Sequence, residues 1–128
     1  MFKLSALTSI LVVPLVLTPD LTAQAQYLYG AIARSRYTGD KGYAWNYPTR
    51  IAAENAALYQ CERVSGARDC AVMLWFRNAC GSIAESRDGS AAGTGWGTSR
   101  SLAERYALQS CGTVGWGCRV VRTFCTGR

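Results

Sequence analysis

Tyr29-Gly-Ala-Ile-Ala-Arg-Ser35 and Cys80-Gly-Ser-Ile-Ala-Glu-Ser86 stand 51 residues apart and share Gly, Ile, Ala and Ser in the same order. Both alternate small and apolar residues, the period-two pattern of a strand. Trp45 and Trp96 keep the same offset. After a slip of one residue, Arg50-Ile-Ala-Ala-Glu-Asn-Ala-Ala-Leu-Tyr-Gln-Cys61 lies over Arg100-Ser-Leu-Ala-Glu-Arg-Tyr-Ala-Leu-Gln-Ser-Cys111, with Arg, Glu, Ala, Leu and Cys in register. A further shortening by two sets Cys70 over Cys118, Val72 over Val120 and Phe76 over Phe124. So many features in one order read as a duplication, with repeats at 27–79 and 80–128.

Each repeat has the same grammar. A first strand (27–36 or 81–87) is followed by turn residues and by a second strand that carries the tryptophan. Thr49 or Ser99 then stands as an N-cap and opens an alanine-rich helix that ends at the cysteine. A glycine-bearing loop leads to a third strand, Ala71 to Arg77 or Arg119 to Cys125. The stretch Val72-Met-Leu-Trp-Phe76 is apolar throughout, which predicts a central strand covered on both faces. The expected fold is α+β, a small disulfide-bridged two-layer domain built from two duplicated ββαβ units that share a sheet or face each other.

The N-terminus precedes this repeat and differs from it in kind. Lys3, an apolar run of 14 residues from Leu4 to Leu17, and Ala23-Gln24-Ala25 have the three zones of a secretory signal peptide. The run is shorter than the roughly 20 residues of a membrane span. The expected mature chain is 26–128, one domain, exported to the periplasm or the medium, with no integral membrane segment after processing.

All six cysteines fall in that mature part. In an exported chain an even count reads as three disulfides, and none of the pairs has the tight spacing of a zinc site. Equivalent positions are expected to pair equivalently, Cys61 with Cys70 and Cys111 with Cys118. Cys80 and Cys125 are then left to staple the two units together. The rival pairing joins Cys61 to Cys111 across the repeat.

Tyr29-Gly-Ala-Ile-Ala, Trp45-Asn-Tyr-Pro, Ala52-Ala-Glu-x-Ala-Ala-Leu with Cys61, and Gly95-Trp-Gly-Thr-Ser-Arg with Ala103-Glu and Cys111 resemble a bacterial exported family, domain of unknown function 4189 (DUF4189). The likeness covers nearly all of 26–128. It implies this fold and export, and it brings no catalytic residues with it.

The chain contains no histidine. Ser-His and Cys-His nucleophilic catalysis and histidine-based acid–base chemistry are therefore excluded. No cofactor or metal site is expected, and Gly93-Thr-Gly-Trp-Gly97 lacks the lysine of a nucleotide-binding loop. Carboxylates are the remaining route to an enzyme. Glu54 and Glu104 are equivalent in the repeat, and at 100° per residue Glu54 falls on the helix stripe of Ile51, Ala57, Leu58 and Cys61. An inward glutamate is costly unless satisfied, so both are expected to anchor a neighbouring group, such as an indole N–H of Trp45 or Trp96. Ser101-Leu-Ala-Glu104 also matches a capping box. Paired as in a glycoside hydrolase, the two would act on envelope polysaccharide.

The net charge is +6, and arginine dominates the positive side. Arginine suits bidentate contact with carboxylate or phosphate. Aromatic residues near the second strands add stacking surface, as protein interfaces and polymer platforms use. The candidate binding face is Trp45, Tyr47, Arg50, Trp96 and Arg100. The expected function is a secreted, non-enzymatic binding module for a protein or an anionic cell-envelope partner, with nucleic acid disfavoured. The alternatives are the carboxylate-dependent hydrolase and a structural envelope protein without a specific ligand.

Overall fold

The computed structural model describes residues 9–15 and 26–127. Residues 9–15 have no regular secondary structure and exposed side chains. The rest of the expected signal peptide, with its cleavage point after Ala25, lies outside the described residues.

The described elements run β1 (Tyr29–Ser35), β2 (Lys41–Tyr47), α1 (Arg50–Ser65), β3 (Cys70–Arg77), β4 (Cys80–Glu85), β5 (Ala92–Gly97), α2 (Arg100–Gly112) and β6 (Arg119–Cys125). That is ββαβ twice. Each half makes an antiparallel three-stranded sheet, β2-β1-β3 and β5-β4-β6. The third strand shifts register just after Ile32 in one half and just after Ile83 in the other, while the second strand shifts only in the first half, between Tyr29 and Ala31.

The helices start where their caps dictate. Thr49 and Ser99 accept hydrogen bonds from the amides of Ala52 (3.1 Å) and Leu102 (3.2 Å), satisfying donors that the first turn leaves open. Ser99, not Ser101, is thus the cap of α2. Helix α1 does not stop at Cys61. It continues to Ser65, because the first residue that takes the left-handed cap conformation is Gly66, at φ 66°.

Small residues set the layer spacing. Ala31, Ala33 and Ala44 meet Ala53, Ala57 and Cys61 of α1, and Ala84 meets Ala107 and Cys111 of α2. Each unit is therefore a helix on a sheet. The other faces of the two sheets pack together through Ile32, Phe76, Ile83 and Phe124. The phenylalanine rings lie 5.3 Å apart at 57°. The units face each other, and the layers run α1, sheet, sheet, α2. A Cβ at Gly30 or at Gly81 would collide with the Phe76 ring, so the glycines that open both repeat motifs serve one phenylalanine.

Two expectations are corrected. Val72 to Phe76 is not a central strand: β3 is an edge, where Trp75 stays 40% exposed and only Phe76 is buried. The central strands are β1 and β4, whose small side chains leave room for cover on both faces. The Cys80–Cys125 bond, formed alongside Cys61–Cys70 and Cys111–Cys118, does not join the units. Cys80 opens β4 and Cys125 closes β6, directly opposite each other in the second sheet.

Polar contacts join the halves alongside that apolar core. The Asn46 amide donates to Thr126 Oγ1 (2.8 Å), whose hydroxyl donates to Asn46 Oδ1 (2.9 Å). Arg34 Nη2 lies 3.1 Å from Glu85 Oε2, and Lys41 Nζ 2.5 Å from Glu85 Oε1.

The turns add an acid-sensitive contribution. Asp69 accepts from Ser35 Oγ (2.6 Å) and the Tyr37 amide (2.8 Å), which holds its carboxyl below the ordinary 3.8. The Ser90 amide and the Ser86 and Ser90 hydroxyls do the same for Asp88. A carboxylate with a depressed folded pKa stabilises fully above its unfolded value, and loses that contribution as pH falls through the folded one. Thermal melts should therefore drop on acidification below about pH 4. Asp69→Asn and Asp88→Asn should each flatten that slope; an unchanged slope would remove these turns as its source.

Candidate functional site

The faces of the two sheets extend past the shared core on two flanks, and each flank carries one of the repeat tryptophans. On the β3–β5 flank, Met73, Leu74, Trp75, Phe76, Arg77 and Trp96 line a groove of about 580 Å³. It shares Leu74 and Trp96 with a second hollow of about 480 Å³, which Thr94, Leu102 and Tyr106 complete. Trp96 is 56% exposed. The Arg50 guanidinium stands 4.4 Å from the Trp75 ring centre and pairs with Glu54. Arg77 stands 4.4 Å from the ring centre of Tyr27.

The β2–β6 flank is filled by its own side chains. The Arg122 guanidinium lies 4.3 Å from the ring centre of Tyr43, 5.5 Å from that of Trp45 and 5.8 Å from that of Phe124. Trp45 also leans on Phe124, with ring centres 5.8 Å apart. Burial raises the Tyr43 pKa, and the nearby Arg122 charge works against that rise. Arg100 Nη1 donates to the Thr123 carbonyl of β6 at 3.0 Å.

The five candidate residues therefore do not form one face. Trp96 lines the β3–β5 groove, while Arg50 lies outside its lining and covers Trp75, which pairs with Ala31 on the α1 side of the sheet. Trp45 and Arg100 both contact β6. Tyr47 sits at the end of β2, opposite Tyr29. Sequence reasoning missed Trp75 and Leu74, because an apolar run reads as buried whether its strand is central or at an edge.

Glu54 and Glu104 lie on α1 and α2, the two outer layers, with both sheets between them. The buried stripe of α1 is Ala53, Ala57 and Cys61, and Ile51 is exposed. Glu54 therefore borders the stripe instead of lying in it. Its partner is Arg50, while Glu104 accepts from Thr123 Oγ1 (2.9 Å), which is 3.0 Å from Ser82 Oγ. Neither takes an indole. Among the described residues, no three His, Cys, Asp or Glu side chains are placed to hold a metal ion, and no helix is long and apolar enough to cross a membrane.

The family described as "Domain of unknown function (DUF4189)" matches residues 29–125. Protein Rv1269c of Mycobacterium tuberculosis and Protein Mb1300c of Mycobacterium bovis are each 47% identical to this chain over 62 residues, 48% of this chain and 45% of theirs. The match thus spans under half of those relatives. The NMR structure of Rv1813c from Mycobacterium tuberculosis is similar in fold, with a TM-score of 0.55 and 26% identity, over 98% of this chain and 95% of that one.

Proposed function

The chain belongs to the DUF4189 family, and from that premise we propose that it is an exported, non-enzymatic binding module that recognises a protein or cell-envelope partner. The observation that carries this reading is the β3–β5 groove, lined by Trp75, Trp96 and Arg77, where Trp75 stays 40% and Trp96 56% exposed. Desolvating large aromatic side chains next to arginine is how interfaces concentrate binding energy. Three disulfides in so small a domain suit an oxidising compartment. The hydrolase alternative has weaker support, because Glu54 and Glu104 have no shared cleft to hold one substrate.

The test is capture from envelope and neighbouring-cell extracts with oxidised residues 26–128 as bait. Trp75→Ala/Trp96→Ala, shown by its melt to remain folded, should weaken capture about 30-fold or more, the scale of losing one hot spot. Trp45→Ala/Arg100→Ala, altered on the other flank, should retain it. A partner held equally by the groove variant would overturn the reading, as would the absence of any partner.

A further inference from the structure

The two flanks occupy equivalent positions in the two halves, yet one is filled and the other open. Ile32 is flanked across its sheet by Tyr43 and Leu74, and Ile83 by Thr94 and Arg122. Tyr43 thus corresponds to Thr94, Arg122 to Leu74, Trp45 to Trp96 and Phe124 to Phe76. On the β2–β6 flank the Tyr43 ring meets Phe124 edge-on, with centres 5.8 Å apart, and Arg122 covers both. On the β3–β5 flank Thr94 and Leu74 are too small to do this, and the groove of about 580 Å³ remains.

From this contrast we infer that the β3–β5 groove takes an aromatic side chain presented by an acidic segment of a partner protein. The inference rests on the groove-binding reading above and specifies its ligand. The ring supplies what Tyr43 supplies internally on the other flank: an aromatic body packed beside a tryptophan. A ring fits better than a second guanidinium, because Arg77 already lines the groove. That cation attracts a ring face and repels another cation. The acidic character follows from charge complementarity. Arg77 forms no ion pair among the described residues, and the chain as a whole carries +6. Acidic residues beside the ring are steered toward this flank.

The experiment titrates oxidised, ¹⁵N-labelled residues 26–128 with N-acetyl-Asp-Tyr-Asp-amide and follows the four indole N–H signals. Saturable shifts of Trp75 and Trp96, with Trp45 unmoved, are expected. N-acetyl-Asp-Ala-Asp-amide and N-acetyl-Lys-Tyr-Lys-amide should each bind at least tenfold more weakly. Thr94→Tyr/Leu74→Arg installs the plug of the other flank and should abolish the shifts; Thr94→Tyr alone is the milder variant if the pair does not fold. No saturable shift, equal binding of the alanine peptide, or saturation by a chitin oligosaccharide instead would overturn the inference. A captured partner that depends on Trp75 and Trp96 but is not displaced by the tyrosine peptide would remove the aromatic-ligand inference and leave the binding-module reading standing.

Discussion

Glu85→Gln is expected to lower unfolding free energy by about 3 kcal/mol or more, the cost of breaking a buried ion pair from one side. Glu85 is the single carboxylate between two cations, Arg34 and Lys41, and their side chains are 14%, 8% and 19% exposed. Arg34 also donates from Nη2 to the Gly89 carbonyl at 2.9 Å, while its Nε is buried without a partner. This guanidinium is therefore already under-satisfied, and with glutamine at 85 it is left with neutral acceptors only. Arg34 and Glu85 occupy equivalent positions of the two repeats, so opposite charges replace what identical halves would make a like-charge contact. A denaturant titration of Glu85→Gln against the parent gives the number. The triple variant Arg34→Met/Lys41→Met/Glu85→Leu separates an unpaired charge from a lost contact. Removing all three charges should recover most of the stability, since apolar replacement of buried ion pairs is often neutral or favourable. A Glu85→Gln loss under about 1 kcal/mol, typical of an exposed pair, would show that water screens the cluster.

Gly42→Ala, and Gly93→Ala at the equivalent position, should each cost about 3 kcal/mol, the upper end for overpacking. A Cβ at Gly42 would overlap the Ala57 carbonyl and the Cys61 amide nitrogen. At Gly93 it would overlap the Cys111 amide nitrogen and the Ser110 carbonyl carbon. These are backbone atoms of α1 and α2, so no side chain can swing aside and the helix itself must lift. Lifting α1 opens the contact of Ala53 and Ala57 with Ala31 and Ala33, where alanine methyls have no length with which to follow. Gly112→Ala serves as control: nothing lies within 4 Å of its Cβ position at the end of α2, and a helical glycine replaced by alanine gains up to about 1 kcal/mol. Melting temperatures of the three variants, measured under oxidising conditions, check the order. If Gly42→Ala melts with the parent, the sheet and helix are not in the close contact described.

What was legible in the sequence was whatever neighbours in the chain decide. The strand–strand–helix–strand order follows from periods of two and 3.6, and the helix starts follow from hydroxyls at Thr49 and Ser99 placed to reach an amide three residues on. The bonds Cys61–Cys70 and Cys111–Cys118 close loops of nine and seven residues, short enough for the repeat to indicate the pairing. The candidate site was only partly legible. Trp96, Arg50 and Arg100 stood out by their equivalence in the repeat, but equivalence also hides divergence. Thr94 against Tyr43 and Leu74 against Arg122 are unremarkable substitutions until the registers place them on either side of Ile83 and Ile32.

The sequence by itself determined two like ββαβ units and their caps, and favoured the local disulfides over the pairing of Cys61 with Cys111, because each depends on residues within about one helix or one hairpin of each other. Only the tertiary structure decided how the units meet. A strand pattern names two faces without saying which will meet a helix and which another sheet. That choice fell to packing: alanines admitted the helices on one side, while Gly30 and Gly81 admitted Phe76 on the other. From it follows the parting of Trp45 from Trp96 onto opposite flanks, while the strand order β2-β1-β3 leaves β3 at an edge with Trp75 exposed.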